Sequence, residues 1–368
     1  MKHGLYTERA SQFAGVLSAH GIDAFFAHHP VTMSYLSGVG EDAHERFLTI
    51  AYSKTGAVSV ICPSLSEAQI VRSGLTNVRS WKDGEDPVAL FKDLASEWDL
   101  STAKLAVDDT LPAHMLLQMQ AALPKAHYRP GSPFVASLMR NKTANELDLL
   151  KKAGKIADDA FQAILPKIRP GMTEKALERI INEAMADRGG VPTFCIVGTG
   201  ANGAEPHHLS DDTHIMEGDV IILDFGCSVE GYQSDITRTV SLGQADSEAK
   251  KVYEVVYKSH MAARATIAPG VSCSEVDAAA RKAITDEGYG DRFVHRTGHG
   301  IGMNGHEAPY ISGDNNELLA VGNCFSIEPG VYLTGKFGVR IENIVACSEG
   351  GHESLNAEPS PTLLSLTV

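Results

Sequence analysis

Part of this chain is written twice. Pro170-Gly-Met-Thr173, followed by Leu177, Glu178, Ala184 and Gly189, reappears 99 residues later as Pro269-Gly-Val-Ser272, followed by Val276, Asp277, Ala283 and Gly288. In each copy Pro-Gly precedes a Thr or Ser suited to cap a helix, then an amphipathic run, then a glycine stop. The same offset carries His207 onto His306. Further on, Gly218-Asp-Val-Ile-Ile-Leu-Asp224 parallels Gly322-Asn-Cys-Phe-Ser-Ile-Glu328, each an apolar strand that ends in a carboxylate. A further strand in each half carries another acid, Asp235 in the first and Glu342 in the second. Duplication of this kind predicts a pseudo-twofold domain whose matching carboxylates meet near the axis.

The first third reads differently. Asp23-Ala-Phe-Phe-Ala is a short buried strand, residues 48–62 form a hairpin turning at Lys54-Thr-Gly56, and Lys104-Leu-Ala-Val-Asp108 is a strand followed by a helix. That alternation predicts a small α/β domain. Pro130-Gly-Ser-Pro133 begins the linker, and Thr143-Ala-Asn-Glu146 is a capping box that opens a long amphipathic helix ending near Pro166.

Composition narrows the class. A formal net charge of −14 argues against a nucleic-acid partner, because phosphate contacts need a basic face. No apolar stretch reaches the roughly 18 residues of a membrane span, and the first residues lack a signal-peptide core. The six cysteines lie at 62, 195, 227, 273, 324 and 347, with no close pair, which predicts free thiols in a reducing, cytoplasmic setting.

Asp224 and Glu328 end apolar strands, where an isolated charge is costly. Four acids gathered at one axis repel one another by about 4 kcal/mol per pair at 4 Å and an effective dielectric near 20. Two divalent cations would cancel four negative charges, so the cluster is expected to bind metal. His299, in Thr297-Gly-His-Gly-Ile-Gly302, adds an imidazole in a glycine-rich segment that permits close approach. One imidazole with four carboxylates favours Mn²⁺ or Co²⁺, with Zn²⁺ as an alternative.

In order and context, Asp224, Asp235, His299, Glu328 and Glu342 resemble the metal ligands of the pita-bread metallopeptidases, which include prolidase (Xaa-Pro dipeptidase), aminopeptidase P and methionine aminopeptidase. The segments carrying the resemblance are Pro206-His207, residues 218–226, Ser234-Asp-Ile-Thr-Arg-Thr239, residues 297–302 with His306-Glu307, Ile327-Glu-Pro-Gly330 and Val339-Arg-Ile-Glu-Asn343. Tyr35-Leu-Ser-Gly38 and Glu45-Arg46 resemble the creatinase/prolidase N-terminal type, a domain that methionine aminopeptidases lack. The resemblance implies an α/β (α+β) protein with an N-terminal domain over 1–136 and a pseudo-twofold pita-bread catalytic domain over 137–368.

It further implies hydrolysis of an Xaa-Pro bond by a hydroxide bridging two metal ions. Glu328 would be both ligand and proton shuttle, His207 and His306 would stabilise the oxyanion, and His295 and Arg340 would orient the ligands. A homodimer is implied too, in which Arg46 of one subunit would reach the substrate carboxylate at the other subunit's site. Residues 308–327 contain no Arg or Lys for that role, so Arg46 is the candidate, with a surface ion pair to Glu45 or Asp42 as the alternative. His208 is expected to face solvent. Relatives often carry a Tyr where this chain has Thr193, beside Phe194, which leaves the proton route open. Dipeptides are the first expected substrate class and longer Xaa-Pro peptides, as for aminopeptidase P, the second. A non-catalytic peptide-binding module and a creatinase-like hydrolase are further alternatives.

Overall fold

The computed structural model describes residues 2–42 and 44–368, with side chains from residue 4 onward. It divides into two units, Met1–Met139 and Arg140–Val368.

The first unit runs α1 (Lys2–Ala19), β1 (Ala24–Ala27), α2 (Pro30–Ser37), β2 (Thr49–Ser53), β3 (Val58–Pro63), α3 (Ser64–Arg72), β4 (Val78–Trp81), α4 (Pro87–Glu97), β5 (Lys104–Val107), α5 (Ala113–Ala122), β6 (His127–Pro130) and α6 (Ser132–Met139). Its six strands form one sheet in the order β4-β3-β2-β1-β5-β6. The β2–β3 hairpin is antiparallel and turns at Gly56, whose φ of 89° favours glycine. Apolar residues on both sheet faces call for cover on both. Phe26 packs on Phe91 of α4 at 5.4 Å, while Phe25 and Tyr52 pack on Phe13 of α1 at 5.1 and 5.8 Å.

The second unit begins with α7 (Ala144–Ile164), α8 (Glu174–Ala186), β7 (Val191–Thr199), β8 (Val220–Val229), β9 (Tyr232–Gln233) and β10 (Ile236–Leu242). It continues with α9 (Ser247–Thr266), α10 (Cys273–Asp286), β11 (Gly298–Gly300), β12 (Glu307–Ile311), β13 (Cys324–Ile327) and β14 (Gly330–Leu333). The last strands are β15 (Phe337–Arg340), β16 (Asn343–Ser348), β17 (Gly351–Ser354) and β18 (Leu364–Leu366). One sheet is ordered β18-β10-β8-β7 with β9 on β8, a second β12-β11-β13-β16-β17, and β14 pairs with β15. Helices α7 and α8 bury Ala157, Phe161, Leu177 and Ile181 with Leu223, Ile236 and Val240 of the first sheet. Helices α9 and α10 bury Val252, Val256, Val276 and Ala280 with Phe325, Ile327 and Val345 of the second.

The repeat is visible in the backbone. Thr173 accepts from the Ala176 N–H and Ser272 from the Glu275 N–H, each capping its helix. Thr173 bridges His214 and Ser272 bridges Leu318, and both preceding glycines donate to the next residue's carbonyl, Gly171 to Ile215 and Gly270 to Leu319, at 2.8 Å. The halves join where Thr237 bridges Glu342.

Candidate metal centre

Strand register brings the acids together. On β8, Asp224 stands opposite Ile196 of β7 and Thr237 of β10. The β8–β9 hairpin turns at Glu230-Gly231, both at positive φ, and returns the chain so that Asp235 immediately precedes β10. From the other half, His299 lies in β11, Glu328 follows β13, and Glu342 sits between β15 and β16. Glycines flank His299 for a steric reason, since a Cβ on Gly298 would overlap the Ser326 carbonyl and one on Gly300 the backbone of Ala308.

Asp224, Asp235, His299 and Glu342 are buried, while Glu328 opens partly onto a cavity of about 520 Å³. Asp224 Oδ1, Asp235 Oδ1 and Glu342 Oε1 are buried without any hydrogen-bond partner. The second oxygen of Asp224 accepts from Arg340 Nη2 at 2.6 Å, and that of Glu342 from Thr237 Oγ1 at 2.7 Å. Glu328 Oε1 accepts from Ser326 Oγ at 3.0 Å. Burial, and then repulsion from Glu342, Asp224 and Glu328, pushes the Asp235 carboxyl well above its usual range. Burial with Glu328 and Asp224 does the same to Glu342. Glu328 is pushed up to about 7, chiefly by burial.

The imidazole gives a second test of what this cluster holds. His299 Nδ1 lies 3.1 Å from the Gly300 carbonyl, which can only accept, so Nδ1 carries the proton. Burial, then His306, lowers the ring's pKa to about 3, so it is neutral. Nε2 therefore turns a lone pair toward Glu328 Oε1 at 3.3 Å and Asp235 Oδ2 at 3.7 Å. An imidazole lone pair turned toward two carboxyls, with three orphaned carboxylate oxygens alongside, is an arrangement that a bound cation would satisfy. Ligating atoms of Asp224, Asp235 and Glu342 lie within 4.8 Å of one another, as do those of His299, Glu328 and Glu342. The donor set fits divalent metal held by Asp224, Asp235, His299, Glu328 and Glu342.

His207, His295 and His306 line the same cavity. The His306 ring stacks on His299 at 3.7 Å. Its Nδ1 accepts from Arg296 Nη2 at 3.1 Å, which leaves Nε2–H as its donor. Arg340 reaches Asp224 directly, whereas His295 does so through an intermediary. Tyr332 Oη accepts from Arg340 Nη1 at 2.9 Å and donates to His295 Nε2 at 2.8 Å. Sequence reasoning passed over Tyr332, and its place two residues after Pro-Gly in Glu328-Pro-Gly-Val-Tyr was the available signal. Arg46 lies in the first unit, where Nη2 donates to Asp83 Oδ2 at 3.2 Å and Nη1 engages the other oxygen. Thr193 is exposed, and Phe194 and Ile196 line the cavity instead. His208 departs from expectation: it is buried, with Nε2 2.6 Å from Glu174 Oε2.

Residues 148–349 match the family described as metallopeptidase family M24, and residues 9–140 the creatinase/prolidase N-terminal domain. A probable dipeptidase PepE of Mycobacterium tuberculosis is 35% identical over 361 residues, covering 96% of this chain and 95% of the relative. An Xaa-Pro dipeptidase of Lactobacillus delbrueckii is 34% identical over 341 residues, covering 91% and 93%. The crystal structure of a prolidase from Thermococcus sibiricus superposes with a TM-score of 0.94 at 35% identity, covering 98% of this chain and 99% of that one. With a site of this composition and matches of this extent, the chain belongs to metallopeptidase family M24 and carries the creatinase/prolidase N-terminal domain ahead of its catalytic unit.

Proposed function

We propose that this chain is a cytoplasmic Xaa-Pro dipeptidase, working as a homodimer with two divalent ions per chain, Mn²⁺ foremost. The observation that carries the reading is the buried cluster of four carboxylates around a neutral imidazole with three orphaned oxygens. The named Xaa-Pro dipeptidase and prolidase relatives support the substrate class. Six free cysteines fit a reducing compartment.

Asp224, Asp235, His299, Glu328 and Glu342 would hold divalent metal, which when bound would activate a water for attack on the peptide carbonyl. The chain's own groups do the rest. Glu328, whose side chain opens onto the cavity, accepts a proton and returns it to the departing proline nitrogen. His306 offers Nε2–H to the developing oxyanion, and His207 approaches from the opposite half of the repeat. Phe194 and Ile196 give the wall an apolar surface for the pyrrolidine ring. The bond before proline is a tertiary amide without an N–H, so the site needs no acceptor there.

A dipeptide also needs a cation for its free carboxylate. Arg296 lines the cavity, contacts His306 and the Tyr310 ring, and meets no carboxylate within 4 Å among the described residues. It takes that role here, and Arg46 of a second subunit is the other cation proposed for it. The deciding experiment is an assay of metal-stripped enzyme, reloaded with Mn²⁺, Co²⁺ or Zn²⁺, on Ala-Pro, Met-Pro and Ala-Pro-Ala. Faster turnover of the tripeptide than of either dipeptide would make aminopeptidase P the better description.

A further inference from the structure

Glu174, the first residue of α8, is fully buried, and its carboxylate is saturated with donors. Oε1 accepts from the Thr199 N–H at 2.8 Å and from Asn202 Nδ2 at 3.1 Å. Oε2 accepts from His208 Nε2 at 2.6 Å and from the Asp211 N–H at 3.0 Å. All four donors belong to one stretch of chain, residues 199–211, and they flank His207 on both sides. Backbone bonds from the start of α8, Glu174 N–H to the Thr213 carbonyl and Lys175 N–H to the Asp211 carbonyl, both 3.1 Å, close the far end. Ligand atoms of Glu174, His208 and Asp211 lie within 4.8 Å of one another, but four donors already occupy the lone-pair positions a cation would need. The cluster is therefore a tie.

The repeat shows that this tie is specific to one half. The residue matching Glu174 in the second copy is Cys273, which is buried and lacks a carboxylate. That half fixes its histidines by other means. Asp277 Oδ1 accepts from the Thr297 N–H at 3.1 Å and its hydroxyl at 2.7 Å, two residues ahead of His299. Lys142 Nζ binds Glu307, the neighbour of His306, at 2.6 Å. The halves share their main-chain pattern and differ in how each loop is anchored. The His207 imidazole makes no hydrogen bond of its own to any described residue, so its place depends on the backbone at either side.

We infer that Glu174 and His208 are positioning residues for His207: His208 anchors the loop and Glu174 is the socket it enters. The inference rests on the reading of His207 as a group that acts on the scissile carbonyl. Displacing a reacting group by about 1 Å costs on the order of 100-fold in rate.

The test is a mutant cycle on the full-length Mn²⁺-loaded enzyme with Ala-Pro as substrate, with bound metal measured for each variant. His208→Ala is expected to lower kcat by about 10–100-fold and to leave KM within about twofold and metal content unchanged. His208→Gln, whose amide can still donate to Glu174, is expected to recover much of the loss. In a His207→Ala background, His208→Ala is expected to cost nothing further, because the group it positions is gone. An equal fold-loss in both backgrounds would make His208 a general structural residue and overturn the inference. Unchanged kcat in His208→Ala, with a loss in His207→Ala, overturns the tie alone. Unchanged kcat in His207→Ala overturns the catalytic role of His207 and this inference with it. Should His208→Ala fail to fold, Asn202→Ala removes another of the four ties and is read through the same cycle, with a smaller loss expected.

Discussion

Arg296 and Arg46 differ in what each already holds, and that difference can be read in a substrate series. Arg46 is engaged by Asp83, whereas Arg296 faces the cavity with His306 and the Tyr310 ring beside it and, among the described residues, no carboxylate within ion-pair distance. A charge-assisted contact to a carboxylate contributes about 1.5–3 kcal/mol. Arg296→Ala should therefore raise KM for Ala-Pro by roughly 10–150-fold and barely change it for Ala-Pro-NH₂. Equal changes on both substrates would remove Arg296 from the carboxylate. For Arg46→Ala, a rise confined to the free acid puts that residue at the substrate, and no selective change leaves it as the partner of Asp83. Of the five proposed metal ligands, Asp224 and Glu328 were legible by themselves because acids at the ends of apolar strands contradict their surroundings, while Asp235, His299 and Glu342 became legible through the repeat and the order of the motifs. Tyr332 was not, since a tyrosine in Gly-Val-Tyr-Leu reads as ordinary core. His208 was hidden differently. Its partner lies 34 residues earlier at a helix start, where an acid already has a local reason to be.

At the scale of elements, helix starts and the duplicated Pro-Gly units were plain in the sequence because caps and glycine stops act within a few residues. Contacts between distant elements were not, and the Lys142–Glu307 pair is the clearest case. These two residues are 165 positions apart, and their side chains are only 2% and 8% exposed. Nothing near Lys142 in the sequence announces a buried partner. Glu307 Oε2 has no hydrogen bond, so the pair is held through one oxygen. Removing one member of such a pair strands a buried charge, at a cost of about 3–5 kcal/mol. Lys142→Met should lower unfolding free energy by that amount in urea denaturation, and adding Glu307→Leu should restore most of it. If the double variant is as unstable as the single one, the pair's geometry rather than its charge balance sets the local stability. The same single variant should slow Ala-Pro turnover, because Glu307 adjoins His306.

At the scale of the whole molecule, the repeat makes metal and fold depend on one another. Asp224 and Asp235 come from the first half and His299, Glu328 and Glu342 from the second, and in the protein alone Arg340 is the one cation paired with Asp224 among the described residues. Metal bound there links the halves, so chelation should lower the melting temperature as well as abolish activity. The pH dependence of the chelated form is sharper evidence, and its sign follows from Glu328. Its folded pKa of about 7 lies above the ordinary 4.5, so its contribution to stability is fully present below pH 4.5 and is lost as pH rises toward 7. A shift of that size corresponds to about 3 kcal/mol. Histidines whose pKa is lowered, such as His299, act in the opposite direction over part of this range, so the total curve mixes the two. Comparing the parent protein with Glu328→Gln cancels the histidines, which are common to both, and reports the Glu328 carboxyl together with the repulsion it exerts on Asp235 and Glu342. In EDTA, Glu328→Gln should gain on the parent by up to about 3 kcal/mol between pH 4.5 and 7.5, measured by urea unfolding. With saturating Mn²⁺ the order should reverse, since metal favours the ionised carboxylate that glutamine cannot supply. A difference in EDTA that stays flat with pH would mean that Glu328 is not held in a desolvated acidic cluster. A failure of the order to reverse with metal would mean that Glu328 is not among the ligands.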